Sequence, residues 1–297
     1  MKRRYFMKGA AASLVVGGVG TFFAKRHLDT EHRRTTDGFE QDTPDQECTP
    51  EHLPQEYSEK VLEKLTLQFR KDYLLAWFWN ADVVNENTGI TPFKAATNAF
   101  KASDLHPYLK EMGPFLFYHE SKYNPNLTSE AGAAGIAMLT IRSARHWGLR
   151  VDDEVDERFD PYEATEAAIN HLKADYEEIK QSNEYKELQT AFPDSDGTLL
   201  CLLTISAYNA GPGRVRDGID AFLNSLDEDS LDSLSKLDAH SVYREFDDFA
   251  FAASTGRLAG YGERSSGYVY TIELYRQLHQ ANECHPSSQT DSNQTRR

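Results

Sequence analysis

The sequence predicts a mainly α fold on three observations. Apolar residues recur at helical spacing, helix-start and helix-stop signals bracket several of the resulting segments, and no convincing run of alternating apolar and polar residues marks a strand. With 297 residues, 39% hydrophobic and 11% aromatic, the chain carries enough apolar material for one substantial core, so a single domain with extensions suffices.

The first helix is expected to start near Ser58. Val61, Leu65, Phe69, Tyr73 and Trp77 fall at every fourth position, which lines them along one face of a long amphipathic helix and makes that stripe core. A second helix is expected over 92–103. The stretch 105–121 follows and is interrupted by Gly113-Pro114; Pro has no backbone donor, so it predicts a kink or a restart of the helix. Asn124-Pro125 and the small residues Ala131 to Gly135 then predict an irregular segment in which the backbone approaches a neighbour closely.

Asp160-Pro161-Tyr162-Glu163 combines an Asp at the N-cap, Pro at the first helical position and Glu at the third, and starts a helix that runs to 181. An apolar helix over 198–209 stops at Gly211-Pro212-Gly213, and helical patterns return over 215–226, 239–253 and 268–281. Residues 27–55 are polar and aperiodic, the pattern of a linker, and 285–297 read as a disordered tail. The folded domain is therefore expected over 56–284.

Residues 1–26 have their own pattern. Arg3-Arg4-Tyr5-Phe6-Met7-Lys8 leads into an apolar stretch, 9–24, rich in Gly and Ala, and the whole resembles a twin-arginine export signal. A spanning helix needs about 20 apolar residues, so this stretch is short for one. Phe22 nevertheless spoils the most obvious small-x-small cleavage site, and Lys25-Arg26 follow at once, so a removed signal and an uncleaved membrane anchor through 9–24 both stand. Either way the resemblance implies delivery of a folded protein to the cell envelope.

The formal net charge of -15 argues against a nucleic-acid partner, since phosphate binding requires a clustered basic surface. Cys201 lies in an apolar run and reads as a buried small hydrophobe, while Cys48 and Cys284 flank the folded region and leave a disulfide between them open. No Cys-x-x-Cys pair is present, and His119-Glu120 lacks the second His of a zinc helix because position 123 is Tyr. No metal or cofactor is expected.

The most informative residue is Glu120. It follows the apolar run Phe115-Leu116-Phe117-Tyr118 and His119, and a carboxyl backed by such side chains is costly to ionise, so it can hold a proton near neutrality. Taken alone, a Glu at a helix end is more often a solvated or capping residue.

The residues downstream bear on that choice. Glu120-Ser121, the Pro at 125, the Ser at 129 and Gly132-Ala133-Ala134-Gly135 resemble the active-site stretch of the soluble lytic transglycosylase (SLT), lysozyme-like family. Ala207-Tyr208-Asn209-Ala210-Gly211 is similar to its second signature and Tyr268-Val269 to its short third one, while Val155 to Pro161 is similar to the branch of membrane-bound murein transglycosylase D. The motifs cover 100–282. The resemblance implies a lysozyme-like catalytic domain with a helical N-terminal extension, acting on peptidoglycan.

It also implies roles. Glu120 is the expected acid, then base; Ser121, Tyr208, Asn209, Tyr268 and Met138 are the expected substrate-binding residues. No second carboxylate sits at a motif position: Asp152, Asp153, Glu154, Asp156 and Glu157 lie in a polar stretch expected to face solvent. A single carboxyl suffices where the substrate supplies its own nucleophile, the muramic acid 6-hydroxyl, which closes a 1,6-anhydro ring. Where the family carries Met or Trp and then Gln, this chain has Ala137 and Met138, replacing an amide with a thioether that only packs. Two alternatives stay open on the same fold: a goose-type lysozyme in which Glu120 activates water, and a non-catalytic glycan-binding scaffold.

Overall fold

The computed structural model describes residues 91–253 and 267–284. The expected helix beginning near Ser58, the linker, the export signal, the tail and the Cys48–Cys284 pairing lie outside the described residues. In chain order the helices are α1 (Pro92–Ala102), α2 (Pro107–Ser121), α3 (Ile141–His146), α4 (Pro161–Gln181), α5 (Asn183–Ala191), α6 (Thr198–Ala210), α7 (Pro212–Leu223), α8 (Glu228–Leu234), α9 (Ala239–Ala252) and α10 (Tyr268–Cys284). Among the described residues the only extended pairing is isolated antiparallel bridges, Thr128 with Ala134, Ala134 with Leu139 and Val151 with Asp156. No helix among them is long and apolar enough to cross a membrane.

Proline and a side-chain acceptor start the helices that frame the site. Thr91 caps α1 by accepting from Lys94 N, and Asp160 caps α4 by accepting from the N–H groups of Tyr162 (2.8 Å) and Glu163 (3.3 Å). The α2 cap is a histidine: His106 Nδ1 accepts from Tyr108 N at 3.2 Å, which leaves the proton on Nε2 to donate to Asp196 O at 2.8 Å.

The axis of the core is α6. Leu199, Leu200, Cys201, Leu202, Leu203, Ile205 and Ala207 are all buried, so this helix is apolar all round and must be enclosed. It packs against α2, α4, α7, α9 and α10, and each fully buried aliphatic side chain adds about 1.5–3 kcal/mol relative to exposure. The remaining large contacts are α1 on α2 and α10 on α2. At Gly113 a Cβ would collide with the Phe100 ring, so the missing side chain lets α1 seat on α2.

Two expectations on the elements change. Pro114 does not restart the helix: α2 is one segment of 15 residues with Pro114 inside it. The restart is unnecessary because packing holds the segment, with Pro114 itself buried and its carbonyl accepting the Tyr123 hydroxyl at 2.8 Å. Also, α3, α5 and α8 were not expected; they are 6, 9 and 7 residues long, too short to show a period, and each is started by a local cap (Thr140, Ser182 and Asp227).

Candidate active site

Glu120 lies in the last turn of α2, and the chain leaves that turn through two consecutive left-handed residues, Lys122 (φ 53°) and Tyr123 (φ 60°). Such backbone costs on the order of 1–2 kcal/mol per residue, so surrounding contacts must hold it. They do so on both sides. Tyr123 is buried and bonded to Pro114 O, while the Lys122 ammonium sits over the Tyr118 and Tyr275 rings at 4.3 and 4.5 Å. The turn thereby holds a cation beside the acid.

The acid is held from the other side of the chain. The Tyr268 hydroxyl, at the start of α10, donates to Glu120 Oε1. Burial pushes the Glu120 carboxyl above its ordinary range, with the Tyr268 hydrogen bond and then the Lys122 charge opposing the rise. Tyr268 is itself buried, and burial followed by the nearby Glu120 charge drives its phenol up, so it stays a donor. α10 is fastened to α2 by a second contact: the Tyr108 hydroxyl donates to Glu273 Oε2 at 3.0 Å, and Arg276 holds that buried carboxylate below its usual range.

Ser121 is buried, and its hydroxyl goes to backbone carbonyls, Ile136 O at 2.9 Å and Phe117 O at 3.2 Å. It therefore ties the irregular segment to the end of α2. Tyr208 reaches the same segment from α6: its hydroxyl donates to Ala137 O at 2.7 Å. Burial raises the Tyr208 phenol, and the charges of Glu120 and then Asp175 add to the rise. Asn209 follows, exposed, near the end of α6. Met138 is half-buried with φ 48°, and Ala137 is fully buried. Glu120, Ser121, Tyr208 and Tyr268 thus meet around one turn and one loop.

That loop is built on Arg158. Its guanidinium donates to Gly132 O (2.7 Å) and Leu139 O (3.2 Å) and pairs with Asp156 at 2.6 Å. Asp156 was expected to face solvent and does not: it is half-buried as the partner of a buried arginine, which holds its carboxyl below the usual range. Gly135, at φ 77°, lies so close that a Cβ would collide with Arg158 O. Asp152, Asp153 and Glu154 are exposed, as expected.

Sequence reasoning missed a second polar group, on α4. His171 Nε2 lies 3.5 Å from Asp175 Oδ2 one turn away, and the His171 ring is 5.0 Å from that of Tyr208. The two are not an ion pair near pH 5 to 6. Burial lowers the imidazole to about 4 and raises the Asp175 carboxyl to about 7, so both are neutral in between. A signal existed: Asp175 shares the buried stripe of Ala168, Leu172 and Ile179, where a carboxyl is out of place. His119 is similar, with Nδ1 buried and lacking a hydrogen-bond partner among the described residues; burial and Lys122 lower it to about 4.

A mainly helical, lysozyme-like domain is the class of protein that this fold and site define. Residues 99–228 match the model of the transglycosylase SLT domain. The chain is 31% identical over 100 residues to membrane-bound lytic murein transglycosylase F of Shewanella halifaxensis, covering 34% of this chain and 17% of that protein. It is 35% identical over 100 residues to membrane-bound lytic murein transglycosylase D of Escherichia coli K12, covering 34% and 18%. A third relative, transglycosylase F of Maricaulis maris, is 28% identical over 138 residues, covering 46% and 26%. The likeness to the SLT, lysozyme-like family thus covers residues 99–228, less than half of the chain. It spans under a third of the length of each of these relatives, and no solved structure matches it.

Proposed function

We propose that the protein is a peptidoglycan lytic transglycosylase that cleaves the β-1,4 bond between N-acetylmuramic acid and N-acetylglucosamine. The observation that carries this reading is the setting of Glu120, a carboxyl whose pKa burial raises, with a phenol donor and one cation opposing the rise. Glu120 first protonates the departing glycosidic oxygen. As carboxylate it then takes the proton of the muramic acid 6-hydroxyl, whose oxygen bonds to the anomeric carbon and leaves a 1,6-anhydro end without consuming water.

Each neighbour has a part in that sequence. Tyr268 orients Glu120 and favours its charged form, which is the form required for the second step. The tethered hydroxyl supplies the entropic advantage of an intramolecular attack. Tyr208 and Ser121 hold the loop 124–139 against the acid, while Asn209 and Met138 line the approach as substrate contacts. The twin-arginine-like N-terminus and the likeness to membrane-bound lytic murein transglycosylases support a place in the bacterial cell envelope.

Mass spectrometry of the muropeptides released from purified sacculi tests the reading. Anhydromuramoyl ends are expected as the main product, and their loss in Glu120→Gln. Reducing ends as the main product would establish a hydrolase instead.

A further inference from the structure

α9 carries a buried carboxyl that neither its own apolar stripe nor the chemistry at Glu120 accounts for. Val242, Tyr243, Phe246, Asp247 and Ala250 are the buried residues of this helix, and Asp247 is only 2% exposed. A carboxyl on such a stripe is costly unless a donor meets it. The donor comes from another segment: Asp247 Oδ2 accepts from the backbone N–H of Gly267 at 3.1 Å, and Gly267 is the residue immediately before Tyr268, where α10 begins. The Tyr270 phenol feels the same carboxyl, since burial and then the Asp247 charge push it up, with Arg244 opposing the rise and Asp248 adding to it. Its ring meets the Tyr243 ring of α9 edge-on at 5.8 Å.

The place of this contact matters because of the residue that follows it. Gly267, at φ 75°, has no side chain with which to cap α10, whereas Thr91, His106 and Asp160 cap the helices that frame the site from within their own segments. The Gly267 carbonyl accepts from Thr271 N at 3.0 Å and from Thr271 Oγ1 at 2.8 Å, so the first turn of α10 is built on it. The body of α10 packs on α2 and α6, and its tie to Tyr108 is made at Glu273, about 7.5 Å along the axis from Tyr268 at 1.5 Å per residue. Apolar packing is non-directional and helix ends fray, so neither fixes the first turn. A hydrogen bond is lost once donor and acceptor part by more than about 3.5 Å. The Tyr268 hydroxyl therefore stays on Glu120 Oε1 only while that turn is held in place.

We propose that Asp247 is a positioning residue for Glu120: by fixing Gly267 it sets the start of α10, and thereby holds the Tyr268 hydroxyl on the carboxyl that it orients. The assignment rests on the reading of Glu120 as the acid of a glycan-cleaving enzyme. Its sign separates it from a field effect. Removing a negative charge from the surroundings of Glu120 would favour the ionised form and lower its pKa, whereas loss of the Tyr268 hydrogen bond raises it. The groups around Glu120 are Tyr268 from α10, Lys122 from the turn after α2, Tyr208 from α6 and His119 beside it on α2, whose ring meets that of Tyr268 at 4.8 Å. A change at Asp247 alters none of them chemically.

The experiment is a carbon-13 NMR titration of the full chain labelled at the glutamate carboxyl carbons, with the Glu120 signal identified by its absence in Glu120→Gln. In Asp247→Ala the Glu120 midpoint is expected to rise by about one pH unit, the shift also expected for Tyr268→Phe. Asp247→Asn, whose amide oxygen can accept the same N–H, is expected to show no rise. Asp247→Leu fills the space without an acceptor and carries the test should the alanine variant not fold; thermal midpoints show which variants are folded. Adding Asp247→Leu to Tyr268→Phe is expected to move the midpoint no further, because the effect passes through Tyr268. A Glu120 midpoint unchanged or lowered in folded Asp247→Leu would overturn the proposal, as would an equal rise in Asp247→Asn or a further rise in the double variant. The product test on sacculi is independent of this readout: a hydrolytic outcome there removes the transglycosylase reading and leaves the positioning of Glu120 to the titration.

Discussion

The hydroxyl of Tyr268, at the first residue of α10, donates to Glu120 in the last turn of α2, joining two helices that are far apart in the chain. A donor to a carboxylate favours its ionised form, so this bond opposes the rise that burial imposes on Glu120. Tyr268→Phe removes it. The Glu120 pKa then climbs further, and the alkaline limb of the pH–rate profile, set by loss of the acid's proton, is expected to move up by about one pH unit, since hydrogen bonds to charged groups are worth roughly 1.5–3 kcal/mol. Turnover of sacculi measured from pH 4 to 9 checks this; a limb that stays in place would show that the phenol only packs.

Ser121→Ala leaves the Ile136 carbonyl, buried beside the acid, without its donor. The expected cost is about 1–3 kcal/mol of stability. Thermal unfolding reads it directly, and a midpoint equal to wild type would count against the tether between α2 and the loop.

Asp156→Ala strands the buried guanidinium of Arg158, which then has only carbonyl partners at Gly132 and Leu139. Removing one partner of a buried pair costs about 3–5 kcal/mol; with Asp156 half-buried, the lower end applies. Urea denaturation should show the loss, whereas Asp153→Ala at an exposed position should change little.

The buried titrating groups have opposite pH signatures. Asp175, raised to about 7, stays protonated when folded while the unfolded carboxyl has ionised, so its stabilising contribution is present below about pH 4 and lost as pH rises to about 7. His119 and His171, lowered to about 4, contribute stability above pH 6.5 that is lost as pH falls through 4. Asp175→Asn is therefore expected to be more stable than wild type at pH 8 and to lose that advantage by pH 4. Melting curves at both pH values test the sign.

A mainly helical core and its chief helices were legible because their causes are local. Asp160-Pro161 starts α4 through its own side chain, and the apolar run of α6 can only be an enclosed helix. The stretch from Glu120 to Gly135 likewise points to a candidate acid and its loop through its resemblance to the SLT family. Pro114 shows the limit of such reasoning: its missing donor predicts a kink or a restart, but no restart occurs, because packing of a buried segment outweighs one lost hydrogen bond.

By itself the sequence determined that Glu120 sits at the end of an apolar helix with a glycine-rich loop after it, since both follow from side chains acting on their immediate backbone. Only the tertiary structure decided which groups surround that acid. Tyr268, Tyr208 and Arg158 reach the site from separate elements, and the pairing of Asp156 with Arg158 or of Asp175 with His171 has meaning only once burial removes water. Desolvation is a property of the assembled core rather than of any segment, which is why the upward shift of Glu120 and the shifts of His171 and Asp175 emerge at that level.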